Sequence, residues 1–416
     1  MTPQRTPQPR QRGVATIFIT VVLLLAAGLI ALYTSRSSVV EQRLSASEVR
    51  AKQALAAANS GIDAALAHMH KGGLYQNDNV DDGKFVLDTF ATVTLNGGGT
   101  NSYFHVVFSD ASQPLPECPT QHGGALAGNY NQGARLIEVM AVSCGWSDDD
   151  ASVQRVAQRI TSTPSTGGGI STPLVTRGAT DLLTGGASVL NFFNDLTVWS
   201  GGNLLGQSNT GKTFIRDTVS NPIADVSFDY RDTGNSPACN NPPAGYVCST
   251  QGSELGHDTV GSDTNLSSKS VDEFFQYFMG QTPANYRDGT AGWVVDLDGT
   301  LATQDSTDAA SIDKMADRVI WVEGDLTLPD LGTPEKPVVL VVQGDLELSN
   351  NAVVYGLVFV FGDISGNGNP QIFGSLISAG AAAITGNPLI IYDPLALGAA
   401  TNLGRAVKVP GTWRDW

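Results

Sequence analysis

The sequence predicts an α+β protein: a long N-terminal helix packed on a small antiparallel sheet, followed by a β-rich, solenoid-like domain. Three observations carry this expectation. An uncharged run, VATIFITVVLLLAAGLIALY at residues 14–33, leads into a stretch whose helical pattern meets no Gly or Pro until Gly61. Four β-rich segments follow between residues 84 and 161. Further on, the pair Gly-Asp recurs at 324–325, 344–345 and 362–363, each time after an apolar run.

The helix comes first. Residues 1–13 hold Arg5, Arg10 and Arg12 and no acid, so this flank is expected on the cytoplasmic side. The twenty residues that follow span about 30 Å as a helix, one hydrocarbon core. Beyond them Ala51, Leu55, Ala58, Ile62, Ala65 and Met69 step by three or four residues and make one apolar seam. A single helix over residues 14–70 is expected, crossing a membrane at 14–33 and reaching into an exported domain.

These residues resemble the type IV pilin-like proteins. A short basic leader (residues 1–13) ends in Arg12-Gly13, and an uncharged helix starts directly after it. In that family a membrane peptidase cuts after the glycine, so the resemblance implies processing between Gly13 and Val14. The chain departs from most pilins in having Val14 first and Phe18 in place of the usual glutamate at the fifth mature position. The missing glutamate and the run SSVVEQRLSASEVRAKQALAAANSGIDAAL (37–66) are similar to PilX-like minor pilins. The resemblance covers about the first 70 residues.

Residues 71–160 are expected to form the sheet head. The segments 84–95 and 102–108 flank an Asn-Gly-Gly-Gly turn. The segments 135–146 and 153–161 flank Asp148-Asp149-Asp150 as a hairpin. The uncharged Gly/Pro/Ser/Thr stretch 161–173 reads as a linker. Residues 174–416 are then the outer domain. Its Gly-Asp intervals of 20 and 18 residues suit one solenoid coil each. Strands are expected at 338–342, 353–361 and 372–377, with a related segment at 196–206. The aspartates are expected to close turns; a calcium ladder is the less favoured reading. Ser270 and Glu273 read as a capping box opening a helix with Phe274, Phe275 and Phe278 on one side, expected to cover an end of the coil stack. The closing Trp413-Arg414-Asp415-Trp416 reads as a docked tail, similar to endings of PilX-like proteins.

The four cysteines allow three pairings. Joining Cys118 with Cys144 and Cys239 with Cys248 keeps each pair inside one expected domain, and export makes disulfides plausible. A net charge of −16 argues against non-specific nucleic-acid binding, and loss of the leader arginines makes the chain more acidic still. With five His, little material exists for a metal site. No cofactor or metal is expected.

Two motifs point elsewhere. Gly206 to Thr213, with Gly211 and Lys212, fits a phosphate-binding P-loop, but the β-branched TFIRDTV follows where a helix is required. Asp296-Leu297-Asp298-Gly299-Thr300 matches the opening motif of haloacid dehalogenase-like phosphatases. Only thirty residues separate it from the acidic Asp330, too few for a doubly wound domain. As a calcium loop it lacks an acid at the twelfth position, Thr307. No enzyme is expected.

The resemblance implies a structural protein of the type IV pilus that promotes assembly at or near the tip and presents its outer domain to a partner or surface. Its implied partners are other minor pilins, the major pilin, a pilus-tip adhesin, the prepilin peptidase and the inner-membrane assembly platform. Before assembly it would sit in the inner membrane by one span with its C-terminal part in the periplasm, and afterwards in the pilus. The alternatives are a type II secretion pseudopilin, a membrane-anchored β-solenoid scaffold and, more remotely, a P-loop nucleotide hydrolase.

Overall fold

The computed structural model describes residues 14–70, 86–94, 101–110, 114–126, 128, 138–167, 169–181, 186–204, 211–234, 237–251, 254–299, 306–404 and 406–415. Helix α1 (Val14–His70) runs unbroken for 57 residues. Strands β1 (Val86–Thr94), β2 (Asn101–Ser109), β3 (Glu138–Trp146) and β4 (Val153–Ser162) then form an antiparallel meander. The expected strand ends at 84–85, 95 and 135–137 lie outside the described residues.

Only the last part of α1 packs on this sheet. Ala54, Ala57, Ala58, Ile62 and Ala65 are buried against Phe104, Val106, Phe108, Ala141 and Ile160. The expected seam is therefore rotated: Ala51 and Leu55 stand half-buried at its flank. The reason is steric. Gly145 of β3 lies directly under the helix, and a β-carbon there would overlap the Ala54 carbonyl and the Ala58 amide. Backbones this close admit only alanine and glycine at the contact, so the bulkier Leu55 turns aside.

The outer domain is a stack of parallel coils. The chain enters through β5 (Leu174–Thr176) and β6 (Thr180–Asp181), then climbs through β7 (Ser188–Asn191), β8 (Val198–Ser200), β9 (Lys212–Arg216), β10 (Tyr246–Gln251) and β11 (Thr259–Val260). Three helices, α2 (Thr264–Ser267), α3 (Val271–Met279) and α4 (Pro283–Gly289), carry it to β12 (Trp293–Asp296) at the opposite edge. From there it winds back. The coils pair a long strand with a short one: β13 (Val319–Glu323) with β14 (Leu326–Thr327), and β15 (Val338–Val342) with β16 (Leu346–Glu347). Next come β17 (Val353–Val360) with β18 (Ile364–Gly366), β19 (Gln371–Ser378) with β20 (Ala382–Ile384), and finally β21 (Leu389–Ile391). The long strands form one sheet in the order β10-β9-β7-β21-β19-β17-β15-β13-β12, and the short ones a second in the order β14-β16-β18-β20-β6. β21 pairs with Gln371, Ile372 and Phe373 of β19, while β5 pairs with Leu376, Ile377 and Ser378 of the same strand. Entry and exit thus share one layer.

The chain then returns to the head. After α5 (Pro394–Ala400), strands β22 (Ala406–Lys408) and β23 (Arg414–Asp415) pair antiparallel with β4. This corrects the expected boundary of an outer domain running 174–416: the coil stack is inserted between β4 and β22. The linker reading of 161–173 is corrected as well. Residues 161 and 162 end β4, and Ser165 is buried, its amide bonded to the Thr401 carbonyl at 2.8 Å. Two strands of the neck hold each other there.

The large sheet is covered on both faces, which explains apolar runs such as VVLVV. Ile320, Val322, Leu340, Val342 and Val358 fill the coil interior. Trp321, Val339, Val341 and Phe359 face outward under α3, whose Phe274 and Phe275 meet Phe359 at 6.0 and 4.8 Å between ring centroids. The Ser270–Glu273 capping box opens α3. The helix covers a flank of the stack, not the end expected for it, because the outward apolar row runs along the side of the coils.

Two side-chain ladders link successive coils. Asp325 accepts from the Asp345 amide (2.8 Å), Asp345 from the Asp363 amide (2.7 Å) and Asp363 from the Ala381 amide (2.7 Å). Asn369 donates to Asn351 at 3.2 Å and Asn387 to Asn369 at 3.1 Å. Within the long strands Gly356 and Gly374 sit at φ 133° and 146°, and a β-carbon on Gly374 would overlap the Gly356 carbonyl. By contrast, a β-carbon on Gly398 of α5 meets nothing within 4 Å. Gly374→Ala should therefore destabilise the protein by about 3 kcal/mol through backbone strain and overlap. Gly398→Ala should stabilise it by about 0.5–1 kcal/mol. Chemical denaturation of the two variants checks both signs.

Candidate functional site

The residues that set this chain apart lie on α1. From Thr16 to Val49 every described side chain is exposed: Ile17 is 65%, Phe18 71%, Leu24 72% and Tyr33 78% accessible. Burial begins with Ala54. At 1.5 Å per residue, the stretch from Val14 to Ala54 projects about 60 Å beyond the sheet. It is long and apolar enough to cross a membrane. Two threonines in and beside the uncharged run bond back to the helix: the Thr20 hydroxyl donates to the Thr16 and Ile17 carbonyls, and Thr34 to Ile30 and Ala31. Past its first turn, the helix pairs its own backbone groups, and these two threonine hydroxyls add none to be satisfied by lipid or another apolar helix.

Three contacts fix the docked half. Arg50 pairs with Asp149 at 2.7 Å, at the tip of the β3–β4 hairpin. Lys408 of β22 reaches Asp63 at 2.5 Å, and Trp413 donates to Asn59 at 3.3 Å. The C-terminal return therefore clasps the helix from the side opposite the hairpin's acidic turn. The Ser147 hydroxyl first, then the Ala151 amide and Arg50, hold the Asp149 carboxyl below the ordinary carboxylate range. Beside it Asp150, in the left-handed region at φ 55°, takes His122 Nδ1 at 2.7 Å, and His122 stacks on Tyr103 at 4.0 Å.

The residues singled out in the sequence are placed as follows. Gly13 lies outside the described residues, Val14 begins α1 and Phe18 points into the surroundings. Cys118 is joined to Cys144 and Cys239 to Cys248, with Cα–Cα distances of 5.6 and 5.1 Å. Gly206 of the P-loop-like string is outside the described residues. Its Lys212 and Thr213 open strand β9, the Lys212 amide donating to Ala187 at 2.9 Å and the Thr213 hydroxyl accepting from the Thr250 amide at 3.0 Å. These groups serve strand pairing. Asp296 is buried and accepts from the Gly299 amide at 2.7 Å, while Asp330 accepts from the Val353 amide at another turn. Among the described residues, Asp296 and Asp330 each close a turn of their own. Among the described residues, no group of three or more His, Cys, Asp or Glu is disposed to hold a metal ion.

Sequence reasoning missed the Asn59 and Asp63 clasp and the Asn351, Asn369 and Asn387 ladder. The second had a signal: Gly-Asn-Pro recurs at 368–370 and 386–388, at the 18-residue coil period.

Two outcomes are expected. Gly145→Val should detach α1 from the sheet, read as loss of amide protection over residues 54–65. Because the Asp149 carboxyl is depressed, its contribution is complete above the ordinary carboxylate range, near about pH 4, and is lost as the pH falls through the folded value. Asp149→Asn should therefore lessen the loosening of α1 on acidification; an unchanged acid response would remove Asp149 from the clamp.

No protein-family model matches the chain, and no curated protein matches it. Among solved structures it is similar to the competence-associated pilin ComZ from Thermus thermophilus, with 12% identity over 88% of this chain and 98% of that one, at a TM-score of 0.27.

Proposed function

We propose that this protein is a minor-pilin-like structural subunit of a type IV pilus, acting at or near the tip during assembly. One observation carries the reading: α1 is a single continuous helix, uncharged as far as Ser35 and exposed from Thr16 to Val49, whose last part from Ala54 is locked to a small sheet by close backbone contact. Such a rod can be stored in a bilayer and then transferred into a bundle of like helices without unfolding the head. Processing after Gly13 leaves Val14 as the first residue. Phe18 brings no carboxylate to the apolar bundle, so this subunit cannot neutralise the terminal amine of a neighbour there. An unpaired buried charge is costly. The position that imposes no such demand is the first-assembled one. The inserted coil stack is then displayed outward to other minor pilins, an adhesin or a surface.

Mass spectrometry of the protein from native membranes should find a chain beginning at Val14. Deletion of the gene should reduce piliation, and Phe18→Glu should shift the subunit from the tip into the filament body. Recovery of a chain that still starts at Met1, with normal pili in the deletion strain, would favour a membrane-anchored scaffold instead.

A further inference from the structure

A cleft of about 240 Å³ opens between α3 and the neck segment that leads into β5. Ile170, Ser171 and Thr172 form one wall, and Trp199, Tyr277 and Phe278 the other. We propose that this cleft binds a neutral pyranose ring, as one residue of a surface glycan.

The composition of the walls sets the chemistry. None of the residues lining the cleft carries a charge, and the nearest charged groups, Lys269 and Asp263, are each engaged with an aromatic wall residue. Trp199 and the buried Phe278 pack edge to face, centroids 6.4 Å apart, and with Tyr277 make an aromatic wall. A pyranose offers an apolar C–H face to an aromatic wall and a ring of hydroxyls to the polar wall at the exposed Ser171. The volume, below the roughly 300–1,000 Å³ of drug-sized ligand sites, admits no more than a single ring.

The cleft is also held in shape before anything binds. Tyr392 donates to the Ile170 carbonyl at 3.1 Å, Asn191 and Asn194 to the Ser171 carbonyl at 3.1 and 2.7 Å, and Ser375 to the Thr172 carbonyl at 2.7 Å. Three successive carbonyls of the neck are thus fixed by side chains from three separate parts of the stack. Opposite, Asp263 holds the Trp199 indole N–H at 2.8 Å, and Lys269 lies over the Tyr277 ring at 5.1 Å. Preorganised walls spare a weakly binding ligand the cost of ordering them. Tyr277 is 53% exposed and stands at the rim. The cleft does not depend on the filament reading: it would bind the same ligand in an anchored scaffold.

The test uses the full chain in phosphatidylcholine nanodiscs, free of glycoside detergents. Saturation-transfer NMR is recorded with methyl β-D-glucopyranoside, methyl α-D-mannopyranoside and N-acetyl-D-glucosamine, and with p-cresol as a surrogate for a protein aromatic side chain. At least one pyranoside should receive saturation at its ring C–H protons with millimolar affinity. Tyr277→Ala should weaken that affinity about tenfold, the factor that corresponds to ~1.4 kcal/mol, while Tyr277→Phe retains it. Binding of p-cresol with no pyranoside bound, silence from every probe, or equal pyranoside affinity in wild type and Tyr277→Ala would each overturn the proposal.

Discussion

A helix projecting about 60 Å beyond its own domain, its outer 30 Å or so apolar and uncovered, is the constraint to which the rest of the head answers. Each large aliphatic side chain left in water forgoes roughly 1.5–3 kcal/mol of burial, so the stretch from Ile17 to Leu32 forgoes tens of kcal/mol until a membrane or other helices enclose it. The head must therefore hold the rod firmly while contributing no cover to its first half. It does so with small residues. Ala54, Ala58 and Gly61 bring the helix backbone onto Gly145 and Ser143, where contact is dense and rotation about the helix axis is blocked. The flanking pairs of Arg50 with Asp149 and Lys408 with Asp63 are exposed, and exposed ion pairs add orientation more than stability.

The second clasp ties the head to the domain inserted in it. Lys408 and Trp413 reach α1 only after the chain has completed the coil stack, so the last strands of the head sheet arrive from beyond the solenoid. The stack in turn closes on itself, since β21 and β5 share β19 as a neighbour. A buried ion pair reinforces that closure. Asp393, fully buried, caps α5 and takes Arg231 at 2.5 Å and the Tyr230 hydroxyl at 2.7 Å, joining the β9–β10 excursion to the exit of the last coil. Neither end of the inserted domain can be released without opening a layer.

What the sequence made legible follows from how local each signal is. The coil strands were readable because both faces of their sheet are buried, which turns 338–342 and 353–360 into unbroken apolar runs. The Ser270 box and its phenylalanines lie within one short helix and needed no tertiary information. The uncharged start of α1 was equally plain. The face by which α1 docks was less so, because the helical period cannot tell which neighbouring stripe meets Gly145 until the sheet is present. The return of Ala406–Lys408 and Arg414–Asp415 to β4 was not readable at all: two or three residues without a β-rich run carry no strand signal, and their partner lies some 250 positions earlier. The split layer of β21 and β5 was hidden for the same reason.

The neck shows how composition misleads when backbone satisfaction is left out. Thr161 to Pro173 has the Ser, Thr, Gly and Pro content of a flexible tether. A tether leaves its carbonyls to water. Here Ser165, Ile170, Ser171 and Thr172 each give a carbonyl to a side chain, from Tyr286, Tyr392, Asn191 with Asn194, and Ser375 respectively. Those donors come from α4, from beside β21, from β7 and its turn, and from β19, elements that meet only once the stack has formed. The same polar, uncharged composition that frees a chain in isolation therefore fits it to lie against a built surface, because short backbone-exposing residues leave these carbonyls within reach. The neck becomes a wall, and the cleft beside Trp199 has that wall as one side.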